Sequence, residues 1–229
     1  MTREWLSGKN TVSPAPAESS SSPNDKVFYA RIVREPKKGG YQLLPQQGSP
    51  FFISSDLFRT YGLKVDQEVD EELAAKLFRE SQKQGCYAQG LSYLARSEHT
   101  TFHLIQKLTR KGYSKEIIDD AVSRLTDEGA LSDLRYARLF IERRQRKNPE
   151  GRLRLAQRLA DRRVRNDAAL QALDELFTEE HIAAYVARAV NRAKTNHPDT
   201  DVRNLLRAWG FSSYEIRTGL ERACADELS

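Results

Sequence analysis

Cysteine is scarce in this chain, which has only Cys86 and Cys224 among its 229 residues. Two cysteines so far apart exclude a disulfide framework and a cysteine-based zinc module. No apolar run approaches the roughly 18 residues that cross a bilayer, and the first residues lack the apolar stretch of about 7 or more that a signal peptide needs. These absences predict a cytoplasmic protein in a reducing compartment, with no membrane partner.

Motifs for catalysis and for cofactors are absent as well. Neither G-x-x-x-x-G-K-[ST] nor G-x-G-x-x-G occurs, so no glycine-rich phosphate loop is predicted. His99 and His103 have the spacing of a metal pair on a helix, but Glu98 precedes them. Thr100, between them, looks like a helix N-cap that would place the two rings on different elements. We therefore expect no enzyme, no metal and no cofactor.

Positive charge is concentrated in one segment of the chain. The net charge is only +5, from 37 basic and 32 acidic residues, but residues 135–165 contain twelve basic and three acidic ones. Arg154, Arg158, Arg162 and Arg165 recur at helical spacing and form one stripe, and neither Arg158 nor Arg162 has an acidic residue at i±4. The candidate binding residues, here called the basic face, are Arg135, Arg138, Arg143, Arg144, Arg154, Arg158, Arg162, Arg165, Lys107 and Lys111.

The basic face has two interpretations. A run of charge is commonly a solvated surface, but this one has too few acids to neutralise it, which favours binding to a polyanion or an acidic protein surface. The planar fork of arginine suits phosphates and carboxylates alike, so the pattern does not choose between DNA and protein.

An internal repeat runs through the second half of the sequence. Residues 104–122 align with residues 202–220 at an offset of 98, and an intermediate copy lies at an offset of 51 from the first. Gly112 and Gly210 match at a predicted helix end, where glycine accepts the left-handed conformation. In the middle copy Arg163 replaces the glycine, so that turn is expected to be built differently.

The residues after these glycines predict the start of the next helix. Ser114 and Ser212 are placed to act as N-caps, and Glu215 completes a capping box with Ser212. Each copy is then one leading helix followed by a helix–turn–helix pair. Repeats of this size bury their apolar faces against their neighbours, which predicts an elongated, curved, all-α array.

The predicted organisation is mainly α, with three tandem three-helix repeats after a small β-containing segment. The β-branched and aromatic stretches at residues 27–33, 41–44 and 51–53, with a turn at residues 37–40, predict a small antiparallel sheet. It is expected to have two or three strands and to pack on the next part of the chain. The expected divisions are a disordered leader (1–25), a small β/α segment (26–85), and the three repeats (86–133, 134–179 and 180–229).

Two stretches resemble the RecX family. Residues 93–100 followed by 104–113 are similar to that family's opening motif, and residues 129–137 resemble its Asp-x-Arg-Phe/Tyr-Ala segment. The likeness spans roughly residues 88–223, with departures at Ser97 and His103 and at the position of the missing glycine. It implies a monomeric, non-enzymatic modulator of the RecA recombinase, built from three three-helix repeats, that lies in the groove of the RecA–DNA filament and usually inhibits it.

Two functions are therefore expected from the sequence. The first is regulation of RecA by binding in the filament groove, with the basic face touching DNA phosphates or acidic protein. On this hypothesis, changing Arg154, Arg158 and Arg162 to Glu removes the effect on recombinase ATPase and leaves helicity intact. The alternative is an architectural protein that binds DNA directly and acts by occupying it, with a steep dependence on salt.

Overall fold

A computed structural model describes residues 29–35 and 39–226, with only the backbone described for residues 223–226. The described part has ten helices and four strands, so the chain is mainly α with a small sheet, as predicted. Parts of the sequence predictions lie outside the described residues, namely the leader, the strand start at Val27 and Phe28, the turn lysines Lys37 and Lys38, and the Cys224 side chain. Contacts divide the chain into two compact units, Met1–Leu77 and Phe78–Ser229.

The first unit contains an antiparallel sheet of four strands. In chain order they are β1 (Ala30–Glu35), β2 (Gly40–Pro45), β3 (Phe51–Ile53) and β4 (Glu68–Val69), and their order in the sheet is β3-β2-β1-β4. The prediction of two or three strands is wrong by one, because the two-residue β4 lies in a stretch whose sequence is dominated by acidic residues.

One face of this sheet forms the core of the first unit. Ile32, Leu43 and Ile53 are fully buried, because side chains alternate across a strand and these three share a face. Helix α1 (Ser55–Thr60) follows β3, and its Leu57 joins the same apolar cluster. Gly62, two residues after the end of this helix, turns the chain with a φ of +59°.

After β4 the chain is helical, and each leading helix is followed by two shorter ones; the first leading helix begins within the first unit, and the others lie in the second. The helices are α2 (Glu71–Leu94), α3 (Thr101–Thr109), α4 (Lys115–Asp127), α5 (Asp133–Lys147), α6 (Arg152–Asp161), α7 (Asn166–Leu176), α8 (Glu179–Asn196), α9 (Val202–Ala208) and α10 (Ser213–Asp226). This order agrees with a repeated helical unit, while the elongated shape and the boundaries of the three repeats stay predictions. No helix in the described residues is long and apolar enough to cross a membrane.

The turns between the second and third helices pass through a left-handed residue in all three copies. Gly112 and Gly210 have φ values of +88° and +85° as predicted, and Arg163 takes the same left-handed conformation with a φ of +56°. The expectation that the middle turn is built differently is therefore wrong. After it, the Val164 amide donates to the Leu159 carbonyl at 3.1 Å, just as Phe211 does to Leu206 at 3.0 Å.

The helix starts also agree closely with the sequence predictions. The Thr100 hydroxyl accepts a bond from the His103 amide, which leaves His99 outside α3 and confirms the separation of the two histidines. The Ser212–Glu215 capping box is confirmed by reciprocal bonds of 3.2 and 2.6 Å. Ser114 stands at the N-cap of α4, but its hydroxyl makes no capping bond to the backbone.

Candidate partner-binding surface

The Asp133 carboxylate links α5, which carries part of the basic face, to the starts of two other helices. Asp133 opens α5 and is only 6% exposed. One of its oxygens accepts bonds from the amide and the hydroxyl of Thr101, at 2.7 and 3.0 Å, and the other accepts from the amide of Arg165 at 2.9 Å. The start of α3 is thereby tied to the start of α7.

Glu215 makes an equivalent tie between the second and third copies. It is 3% exposed, and its carboxylate accepts bonds from the amide of Arg152 at 3.2 Å and of Ser212 at 2.6 Å. Next to it, the Gly151 amide donates to the Trp209 carbonyl at 3.0 Å. A Cβ built on Gly151 would lie 2.1 Å from the Gly210 oxygen. Only glycine fits this backbone contact.

The Glu150 carboxylate is the shared acceptor for the arginines at the centre of the basic face. Its side chain is 6% exposed, and it accepts bonds of 2.6 and 2.8 Å from Arg158 and one of 2.5 Å from Arg144. Arg154 Nε lies 3.8 Å from it. Burial acts to raise the pKa of Glu150, but the bonds from Arg158 and Arg144 outweigh it and hold that pKa below the ordinary value of 4.5.

Three more arginines of the basic face are held by carboxylates. Arg135 binds Glu98 through two nitrogens, at 2.6 and 3.2 Å, and Arg138 binds Glu175 in the same way, at 2.5 and 2.7 Å. Arg165 pairs with Asp167. The sequence indicated that the basic face has too few acidic residues to pair with it. That expectation is wrong for Arg135, Arg138 and Arg165, and equally for Arg144, Arg154 and Arg158. Most of the acids that pair with them come from other helices or loops, which spacing along one helix does not show.

The two lysines differ in their surroundings. Lys107 Nζ lies 3.1 Å from His99 Nε2 and 4.8 Å from the centre of the Tyr93 ring. Burial lowers the pKa of His99, and the charge of Lys107 acts in the same direction. Lys111 is exposed and makes no ion pair within the described part of the chain.

Positive charge that is open to a partner therefore lies at fewer positions than the sequence indicates. Arg143 is exposed without a carboxylate partner among the described residues. Arg162 stacks its guanidinium over the Phe140 ring at 4.4 Å and likewise has no such partner there. Arg154 is exposed and donates to the Ala208 carbonyl at 2.8 Å. With Lys111, these groups leave donors for phosphate or carboxylate oxygens.

Sequence reasoning missed the residues that organise this surface. In the sequence, Glu150 is one acid among many, and Asp133 is only part of a motif. The signal available was weak, since a proline before Glu150 and a glycine after it indicate a loop but do not show which arginines it reaches. Arg96 and Leu139, which lie beside Arg143, carry no distinguishing pattern of their own.

A repeated three-helix unit with carboxylates tying one copy to the next defines a helical-repeat protein. The model of the first three-helix domain of RecX matches residues 86–125. The protein named regulatory protein RecX from Prosthecochloris aestuarii is 31% identical over 135 residues, which cover 58% of this chain and 89% of the relative. The chain belongs to the RecX family.

Other similar proteins extend the match along the chain. The regulatory protein RecX of Leuconostoc mesenteroides is 26% identical over 165 residues, covering 72% of this chain and 62% of the relative. That of Caldanaerobacter subterraneus is 22% identical over 195 residues, covering 85% and 98%. The chain thus spans less than two thirds of the first of these and nearly all of the second.

Solved structures share the fold. A crystal structure of regulatory protein RecX has a TM-score of 0.66 at 19% identity and covers 84% of this chain and all of its own. The crystal structure of RecX from Lactobacillus salivarius has a TM-score of 0.54 at 20% identity, with coverage of 62% and 97%. At these identities the likeness supports the mainly α fold.

Proposed function

We propose that this chain modulates the RecA recombinase by binding in the groove of the RecA–DNA filament, and that the effect is inhibition. The observation that carries the proposal is membership of the RecX family, at 31% identity over 89% of a relative named a regulatory protein. The same name supports a regulatory role without catalysis. The protein acts as a monomer in the cytoplasm on this proposal.

The contacts with the filament come from the open part of the basic face. Arg143, Arg154, Arg162 and Lys111 supply charged donors at the surface, whereas Arg144 and Arg158 direct theirs to Glu150. Several weak contacts along a polymer combine into tight binding, because each further contact is made within one complex. Modest patches on successive repeats are therefore sufficient.

The experiment that tests this assignment replaces Lys111, Arg154 and Arg162 by Gln and measures RecA ATPase on single-stranded DNA. Arg158 is left unchanged, since its replacement would remove a counter-ion of the buried Glu150 and disturb the fold. We expect the triple variant to lose most of its inhibition. A control variant with Lys194→Gln and Arg203→Gln, two exposed residues of the third copy, is expected to inhibit like the original protein.

The same assay distinguishes binding to the RecA filament from binding to free DNA. An unchanged inhibition curve for the triple variant, with circular dichroism showing a full helical signal, would remove the basic face from the contact. If inhibition disappears whenever free DNA is in excess, the protein acts by occupying DNA, as the alternative holds. Binding to the filament predicts that inhibition persists under that excess.

A further inference from the structure

A groove beside the basic face combines exposed apolar side chains with positive charge. It has a volume of about 240 Å³ and lies between the end of α2 and the outer side of α5. Arg96 and Arg143 border it, and Tyr136, Leu139 and Phe140 supply its apolar surface. Glu98 also lines it. The groove shares Arg143 with the basic face but does not include Lys111 or Arg154.

The apolar part of the groove is partly open to solvent. Leu139 is 44% exposed, although the neighbouring turns of α5 bury Ala137 and Ile141 completely. Tyr136 and Phe140 stack nearly parallel, with ring centres 6.4 Å apart. Covering this surface with an apolar side chain would remove it from water, which is favourable in proportion to the area covered.

The electrostatics of the groove are positive. Arg96 and Arg143 are both exposed, and neither guanidinium makes a hydrogen bond or ion pair to another described residue. The one carboxylate at the groove, Glu98, is compensated by two bonds from Arg135, at 2.6 and 3.2 Å. A ligand carrying carboxylates would thus meet two open guanidinium groups and no uncompensated negative charge.

The same contacts decide between a peptide and a nucleic acid. A base needs a free aromatic face on which to stack, but the guanidinium of Arg162 already covers a face of Phe140 at 4.4 Å. Leu139 is aliphatic and offers no stacking surface. The groove therefore suits a branched or aromatic side chain placed between acidic residues.

We propose that this groove binds an acidic peptide segment of a partner protein, with one large apolar side chain seated against Leu139 and Phe140 and flanking carboxylates bound by Arg96 and Arg143. The inference goes beyond the proposed function, because the chemistry of the groove is the same whichever protein supplies the segment. It adds to the phosphate- or carboxylate-binding basic face a second site with selectivity for a side chain.

The test uses the full chain and fluorescein-labelled ten-residue probes, with binding measured by fluorescence anisotropy. The first probe has a single central Phe flanked by Asp residues, the second has Ala in place of Phe, the third has Asn in place of Asp, and the fourth is a ten-nucleotide oligothymidylate. We expect the first peptide to bind best, with the Ala and Asn forms each weaker by roughly tenfold, as loss of one buried side chain or two charge pairs implies.

Matched variants place the binding in the groove. Leu139→Gln and the pair Arg96→Gln with Arg143→Gln should each weaken the first peptide by about tenfold, while Lys194→Gln should leave it unchanged. A separate pair, Lys111→Gln with Arg154→Gln, leaves the groove residues and the Arg162–Phe140 contact in place, so its peptide affinity should be retained even where RecA inhibition is weakened. The two proposals therefore fail separately.

Three results would overturn the inference. One is equal affinity for the Phe and Ala peptides, and another is an affinity that neither groove variant changes. The third is oligothymidylate that binds more tightly than the Phe peptide and is released by Leu139→Gln, which would assign the groove to single-stranded DNA. If Leu139→Gln does not fold, peptide-induced NMR shifts in the original protein must fall at Leu139 and Phe140 for the inference to stand.

Discussion

Arginines of one sequence segment fall into two groups according to the carboxylates around them. Arg144 and Arg158 converge on Glu150, which is almost fully buried, while Arg143, next in sequence to Arg144, faces outwards without such a partner among the described residues. A buried carboxylate requires compensation by opposite charge. The first group therefore stabilises the loop before α6, and the second is available for binding.

Replacing Glu150 by Gln should destabilise the fold, because it leaves two half-buried guanidinium groups without their counter-ion. We expect a loss of about 2 kcal/mol in the free energy of unfolding, less than for a fully buried pair because both arginines retain some contact with water. Urea unfolding at pH 7 measures it. Glu142→Gln, which removes an exposed pair with Arg146, is the control and should change stability little.

The difference in stability between the original protein and Glu150→Gln should depend on pH, because the pKa of Glu150 is lowered in the folded state. A carboxylate with a lowered pKa in the folded state contributes its full stabilisation above the ordinary value of 4.5 and loses it as pH falls through the folded-state pKa. The original protein and Glu150→Gln should therefore differ constantly around neutrality and converge in acid. A difference in the free energy of unfolding that increases as the pH is lowered would contradict the role given to Glu150.

At the scale of helices and turns, the middle copy keeps the turn of its neighbours without their glycine. Arg163 has a φ of +56°, where a side chain is strained. Arg163→Gly should stabilise the protein by about 1 kcal/mol, measured by the midpoint of urea unfolding. Arg163→Ala, which removes the same charge but keeps a Cβ, should bring no gain. An equal increase in the unfolding midpoint for Arg163→Gly and Arg163→Ala would mean that the charge, and not backbone strain, limits stability at this position.

The ties between copies also belong to this scale. Asp133 accepts three bonds from α3 and the start of α7, so Asp133→Ala should cost about 3 kcal/mol. Asp201, an exposed N-cap that accepts a bond from the Arg203 amide, is the matched control, and Asp201→Ala should cost only about 1 kcal/mol. Similar losses in unfolding experiments would show that Asp133 is an ordinary cap.

Sequence periodicity was sufficient to predict the helices but insufficient to predict the charge pairs. Glycines at 112 and 210, the Thr100 cap and the Ser212 capping box all depend on residues within one turn, and each was confirmed. The partners of Arg135 and Arg138 lie 37 residues away, at Glu98 and Glu175. Such pairs depend on how helices pack, which spacing along the chain does not reveal.

For the whole molecule, the net charge of +5 is a poor guide to binding. Much of the positive charge between residues 135 and 165 is neutralised by Glu98, Glu150, Asp167 and Glu175 in the folded chain. Among the described residues of this segment, Arg143 keeps an open guanidinium group, and it lies with Arg96 beside an apolar groove. We therefore expect the target to contain protein and not to be bare DNA, because a dedicated DNA-binding surface would keep more cations free for phosphates.

The central claim is best tested by the affinity of this protein for RecA filaments on single-stranded DNA, compared with the same DNA free in solution at matched salt. Regulation by groove binding predicts that the filament binds more tightly by about tenfold or more, with a shallow dependence on salt for the filament complex. Equal or tighter binding to the free DNA, with affinity falling steeply as salt rises, would contradict it.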